Sequence, residues 1–418
     1  TSNVFLGALA GNTNTSGDCN IAIGYDVELP SATADNQFAI GSGTNRWITG
    51  DSSYNVTVNH INATKFCGDG SCLTNIAGFS EDADHNLFAG KCAGGTYDPS
   101  TGSAFYNVVI GHCAGEKIPD GDGDNNVFLG LFAGRCNSSG YQNVFIGRCA
   151  GYGYHNSGSG DPITGQNNNA IGCKAGYCLT SGRYNNFFGN DAGLKNTTGS
   201  FNNFIGNQPG QNNSTGCFNN FLGDSAGGQN TTGCYNNYLG RNAGGGVVSG
   251  CYNNFFGYGA GYSSSGTGNH NTFMGLNAGK CLTSGRYNHF FGKHAGCLNA
   301  TGCENIAIGS CALALNTCTF CNVAIGYQAG KSHTLGNSNI FIGSLSGDSH
   351  VDGILNAMVG VQAGSAGTTG SYNTFFGASA GYYNGKNAVP SSTDGDNNTF
   401  IGLNAGYCNC TGSDNVTL

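Results

Sequence analysis

Cys217, Cys234 and Cys251 stand seventeen residues apart, and so do Asn196, Asn213 and Asn230, each opening an Asn-x-Ser/Thr triplet. Both residue types could carry covalent chemistry. Among the Asn-x-Ser/Thr triplets, Asn14, Asn55, Asn62, Asn137, Asn196, Asn213, Asn230, Asn299 and Asn409 are candidate N-glycan sites. The alternative is that Asn-Thr-Thr-Gly is turn chemistry and carries no sugar. Twenty cysteines point to an oxidising compartment. A zinc site would need a second Cys-x-x-Cys near the isolated pair Cys318 and Cys321. Disulfide candidates are Cys92 with Cys113, Cys281 with Cys297, Cys67 with Cys72, and members of the trio Cys217, Cys234 and Cys251, whose odd member pairs elsewhere or stays free.

Asp120, Asp122 and Asp124 place carboxylates at alternate positions, as calcium loops do. The twelfth position of such a loop is Leu131 instead of a bidentate Glu, so a solvated loop is the competing reading and no other cofactor is expected. Nine histidines form no His-Glu-x-x-His, and no Gly-x-Ser-x-Gly elbow precedes a helix. With only 9% charged residues, a lyase-like cluster of acids and bases has little to draw on, and the chain reads as a non-enzyme. A net charge of −8 gives no basic footprint for nucleic acid, and no apolar run is long enough to span a membrane as a helix.

The interval of seventeen belongs to the whole chain. The motif Asn-x-Φ-Φ-Gly, with Φ apolar, recurs with its last glycine at Gly7, Gly24 and Gly41 and then from Gly90 to Gly402. Of the 20 gaps between these 21 marker glycines, 14 are 17 residues long. Positions are numbered below from the marker. Position −4 is Asn at 20 of the 21, the exception being Gln37, and position +3 is Ala at 17. Gly recurs too often for helices. One short strand and glycine-containing corners per period predict an all-β solenoid of about 22 coils, with neighbours about 4.8 Å apart.

Stacked coils place equal positions in columns. Asn185, Asn202, Asn219, Asn236 and Asn253 then form an axial hydrogen-bonded ladder, unless each Asn only starts a turn. Phe187, Phe204, Phe221, Tyr238 and Phe255 at −2 stack likewise. Positions −2 and −1 are both apolar, yet in a strand they face opposite ways. Either the strand bends and both enter the core, or one column faces another chain, a homotrimer being one such oligomer. The same phase argument places seven of the triplet asparagines at +7 along one edge, and equivalent cysteines within disulfide reach.

The solenoid is expected over 1–41 and 86–418, with a non-repeat insertion at 42–85 that holds Trp47 and the strand-like "YNVTV", and with loop insertions near 95–105, 152–166 and 382–396. "NIAIGYD", "NNAIGCKAG" and "NVAIGYQAG" resemble the Asn-x-Ala-Ile-Gly repeats of trimeric autotransporter adhesin heads and the longer repeats of phage tail fibres. "FCGDGSCLTNI" resembles a Gly-Asp-Gly-Ser-Gly-Leu-Thr-Asn segment of tail fibres, with Cys72 in place of a glycine. Cysteines and glycan triplets depart from the phage pattern and are similar to a eukaryotic flagellar-hair (mastigoneme) shaft. The resemblance implies a fibrous, extracellular protein. "TSNVFLG" starts within a rung and "DNVTL" stops within one, which fits a piece of a longer chain. The expected function is a structural block of an extracellular glycosylated filament assembling end to end; the alternative is an adhesin or tail-fibre stalk carrying a receptor-binding tip.

Overall fold

A computed structural model describes residues 2–53, 56–58, 82, 84–95, 104–118, 123–153, 162–263, 265–386 and 395–418. The chain is an all-β parallel solenoid with a repeat of about seventeen residues, and its compact units are Thr1–Thr74 and Asn75–Leu418.

In the first unit β1 (Val4–Leu6), β2 (Ile21–Ile23) and β3 (Phe38–Ser42) pair in parallel, with Val4 opposite Ile21 and Ile21 opposite Phe38. The solenoid then stops. β4 (Asn45–Gly50) and β5 (Val56–Val58) continue the sheet antiparallel, so the first part of the insertion is an extension of this sheet. Trp47 lies on β4 and is exposed. Among the described residues the second unit runs from β6 (Leu87–Ala89) to β24 (Val416–Thr417), nineteen strands in which each pairs in register with the next.

Each strand occupies only positions −3 to −1, as in Asn186–Phe188 before Gly189. From β7 to β23 its middle residue is buried and its ends are not. The −2 column is therefore the core and the −1 column faces outward, with no bend bringing both inside. Rings at −2 stack at 4.8 Å from Phe204 to Phe221 and from Phe221 to Tyr238. The buried +3 alanines, such as Ala192, Ala226 and Ala243, pack in the same core. Where −2 shrinks to Ala170, buried Ile163 and Leu179 supply volume from the opposite side of the coil.

A three-residue strand needs a sharp corner. The marker glycines other than Gly41 take φ between 122° and 143°. L-residues avoid that region. A Cβ on Gly223 would also lie 2.7 Å from the Gly240 carbonyl of the next coil. Gly223→Ala is therefore expected to lower stability by about 2–3 kcal/mol through backbone strain, read as a drop in the thermal midpoint followed by circular dichroism; an unchanged midpoint would show that the corner is not fixed by its neighbour.

Candidate functional site

The site is a set of columns running along the solenoid axis. The first is the −4 asparagine. Asn185, Asn202, Asn219, Asn236 and Asn253 are buried. Asn202 donates its backbone N–H to Asn185 Oδ1 (3.0 Å) and its Nδ2 to the same oxygen (3.1 Å) and to Gly216 O (2.8 Å). Its own Oδ1 accepts the Asn219 N–H at 3.0 Å. Asn236 and Asn253 repeat the pattern. The amide is suited to this because it offers two donors and an oxygen with two lone pairs.

The +7 asparagines make a second inward column. Asn137, Asn196, Asn213, Asn230 and Asn299 are all fully buried. Each donates Nδ2 to the carbonyl of the glycine three residues on, at 2.9 Å for Asn196 and 3.0 Å for Asn213. Asn213 Nδ2 also reaches Asn196 Oδ1 at 2.6 Å, and Asn230 Nδ2 reaches Asn213 Oδ1 at 2.7 Å. Reading these five as glycan sites on a sugar-bearing edge is corrected by that geometry. The nitrogen that a sugar would modify is inside, closing its own turn. Asn14 and Asn409 make the same turn bond from half-buried positions. Asn55 and Asn62 lie outside the described residues.

The cysteine reading is also corrected. Cys92, Cys113, Cys217, Cys234, Cys251, Cys281 and Cys297 are free thiols. In-register parallel coils hold equivalent Cβ atoms at the coil spacing of about 4.8 Å, longer than the roughly 3.8 Å of a disulfide. Cys281 and Cys297 occupy unlike positions, +6 and +5, and meet through a backbone bond from Cys281 N to Cys297 O. Burial pushes the Cys234 and Cys297 thiols up, which keeps them protonated and weakly nucleophilic. Cys67 and Cys72 lie outside the described residues.

The stacked cysteines have another task. Cys217 Sγ accepts the Ser200 N–H (3.3 Å), Cys234 Sγ that of Cys217 (3.1 Å) and Cys251 Sγ that of Cys234 (3.2 Å). The same −6 position uses Ser200 Oγ on Arg183 N–H, Asn269 Oδ1 on Cys251 N–H and Asn337 Oδ1 on Phe320 N–H. Sequence reasoning missed this acceptor column. Its signal was the exchange of Cys with Ser, Asn and Asp at one phase, since what these share is a short acceptor. Asp124 belongs here: its Oδ1 accepts the Phe105 N–H at 2.8 Å. Asp120 and Asp122 lie outside the described residues, and among the described ones no cluster of three metal-type side chains occurs.

A third asparagine column, at −3, faces outward, with Asn169 to Asn186, Asn203 to Asn220 and Asn237 to Asn254 bonded at 2.8–2.9 Å. Its signal was the doubled Asn of "YNNFFG". Two histidines replace Asn in the +7 column. His333 and His350 are buried, with His333 Nε2 2.9 Å from Gly336 O and His350 Nε2 3.1 Å from Asn356 Nδ2. Burial pushes His333 down to about 4 and His350 down to about 3, the latter helped by repulsion from His333.

Asn219→Ala would strand the Asn236 N–H and one Asn236 amide proton, and is expected to cost about 3 kcal/mol, measured by thermal or denaturant unfolding; a loss below about 1 kcal/mol would remove the ladder from the list of stabilising contacts. The histidines stay neutral in the fold while the unfolded chain binds protons below about pH 6.5. Their contribution is intact above that pH and is lost as pH falls toward 4 and 3, by roughly 1.4 kcal/mol per unit per histidine. The thermal midpoint should fall steeply between pH 6 and 4.5, and His333→Asn with His350→Asn should flatten that slope, because Asn299 and Asn316 already fill this column in neighbouring coils. Equal slopes for both proteins would assign the acid sensitivity elsewhere. No protein-family model matches the chain, and no curated protein matches it; its function has to be read from the columns themselves.

Proposed function

We propose that the chain is a structural building block of an extracellular filament or appendage, assembled end to end through its rungs. One observation carries the reading. The backbone N–H of every −4 asparagine from Asn107 to Asn415 donates to the Oδ1 of the asparagine one coil earlier, without a break, as in Asn107 to Asn86, Asn305 to Asn288 and Asn415 to Asn398. Buried side chains are thus devoted to holding one rung on the next. Any rung lacking a neighbour exposes the same unpaired donors and acceptors as every other, which makes a rung a template for another rung. The low charge supports close packing of such rods.

The extracellular location rests on the likeness to adhesin heads and tail fibres. A sugar coat would sit on exposed Asn397, which opens an Asn-x-Thr triplet, and not on the buried +7 column. Negative-stain microscopy of the full chain at rising concentration tests the proposal. Unbranched filaments one solenoid or a few solenoids wide are the expected result. Isolated particles of monomer mass at every concentration would refute it.

A further inference from the structure

Position −5 precedes the inward asparagine and points away from the core. In seven successive coils it carries a ring: Tyr184, Phe201, Phe218, Tyr235, Tyr252, His270 and Tyr287. The rings stack face to face, with centroids 4.7–4.9 Å apart. Because the faces are taken, the edges look outward, and the six Phe and Tyr residues are 45–49% exposed. Each ring sits on a left-handed backbone, with φ from 56° to 59°. That conformation suits Asn or Asp, which occupy the same position as Asn125, Asn167, Asn397 and Asp414. The sequence thus accepts strain and exposed apolar surface together over one continuous run.

Stacking offsets part of that cost, about 0.5–1.5 kcal/mol per ring pair. It does not explain why the neighbouring outward columns are also uncharged and partly apolar. Beside the rings lie the −3 amides Asn186 to Asn254, and beside those the −1 residues, including Ile205 and Met274, both exposed. Positions −5, −3 and −1 form one strip. Between Tyr184 and Phe291 its ionisable groups are two histidines, His270 and His289, and four tyrosine hydroxyls; charges flank it on both edges, Arg183 and Arg286 beside the rings and, past the marker glycine, Lys293 and the mutually paired Asp224 and Arg241.

We propose that this strip is the seam along which a second copy of the chain packs side by side, with the aromatic ladder at its centre. Size and period select that occupant. The strip is about 13 Å wide, at 3.3 Å per residue, and the ring run is about 29 Å long, giving some 380 Å². That is already the size of patch that marks an interaction site. Continued along the outward face of the second unit, about 85 Å, it offers about 1,100 Å², above the roughly 800 Å² per partner of a stable complex. A ladder repeating every 4.8 Å stays in step only with a surface of the same repeat. A polysaccharide or an extended peptide running along it drifts out of register, whereas another stack of this coil does not. Within the ring run the absence of carboxylates and ammonium groups lets two identical faces meet without like-charge repulsion; beyond it position −5 carries Glu304 and Asp414, so the ring run is the centre of the seam.

This seam deepens the filament reading and rests on it for its biological role, though not for its geometry. The test compares the full chain with the triple variant Phe218→Asn, Tyr235→Asn, Tyr252→Asn. Asparagine is native to this position in other coils, so the variant should keep its thermal midpoint. In sedimentation velocity at micromolar concentration, the unaltered chain should form species of at least twice the monomer mass, and the variant should dissociate at least tenfold more readily. Equal association of both proteins, or a strictly monomeric unaltered chain up to about 100 µM (well within the range of transient interfaces), would overturn the seam. Should the variant fail to fold, photochemical tyrosine coupling in a 1:1 mixture of ¹⁴N and ¹⁵N protein decides: hybrid-mass peptides joining Tyr184, Tyr235, Tyr252 or Tyr287 support the seam, and same-isotope products alone reject it. Microscopy separates the two proposals. Lateral pairs that never lengthen would keep the seam and sink end-to-end assembly; single-width filaments unaffected by the triple variant would do the reverse.

Discussion

Everything in the solenoid depends on one buried donor: the backbone N–H at position −4. It lies inside the coil where water does not reach, just before a strand too short to satisfy it by ladder pairing alone. A buried unpaired N–H costs about 1–3 kcal/mol, and the repeat would multiply that cost by the number of rungs. Asparagine of the preceding coil removes it. The one exception shows why the side-chain length matters. Gln37 still gives its N–H to Asn20 Oδ1, but its own longer amide turns back to Ser31 and Ala34. It passes no acceptor onward, and the rung after it is the antiparallel strand β4 instead of another coil.

The ladders also explain how the chain tolerates so much unfavourable backbone. Besides the marker glycine, each coil holds non-glycine residues at positive φ, such as Asp191 and Phe201, or Ser225 and Tyr235. Taken alone, a seventeen-residue turn with that many left-handed positions would not close. Stacked, its conformation is fixed from both sides by side-chain bonds and ring contacts, and the strain is shared with neighbours that need the same shape. Stability of this kind is a sum of nearest-neighbour terms, so a substitution acts chiefly on its own coil and the two beside it.

Legibility in the sequence follows from the same physics. The period, the all-β solenoid, the −2 core and the −4 column were readable because they depend on residue type recurring at one phase, and burial leaves few residue types able to serve. The +7 asparagines were misread because Asn-x-Ser/Thr describes equally a sugar acceptor and a turn closed by its own amide; only the direction of the side chain separates them, and Asn196 points in. The cysteines were misread because Cα spacing suits a disulfide while parallel Cβ vectors do not. Whether −2 and −1 share a core could not be read from two apolar columns, since Phe187 and Phe188 look alike until one is seen buried and the other at the surface.

Where the period breaks, it breaks in one sector. From −6 to +3 the spacing to the marker is intact in every coil of the second unit, and the excess length of the long gaps, such as Gly147 to Gly172 and Gly377 to Gly402, enters between +5 and −6. The −6 acceptors, the −4 amides, the strand and the marker corner all bond to the coil on either side, so one added residue there would shift several columns out of register together. The far turn is bonded to its neighbours largely through backbone atoms, as in Thr197 N–H to Ser214 O, and its +7 column already accepts Asn, His, Leu, Ile or Val: Asn230 gives way to Val247, and Asn316 to His333. Conserved spacing and variable filling are therefore two sides of one constraint. The part of the coil whose bonds to its neighbours need particular side chains fixes its length, and the part whose bonds are mostly backbone to backbone is free to change residue and to grow.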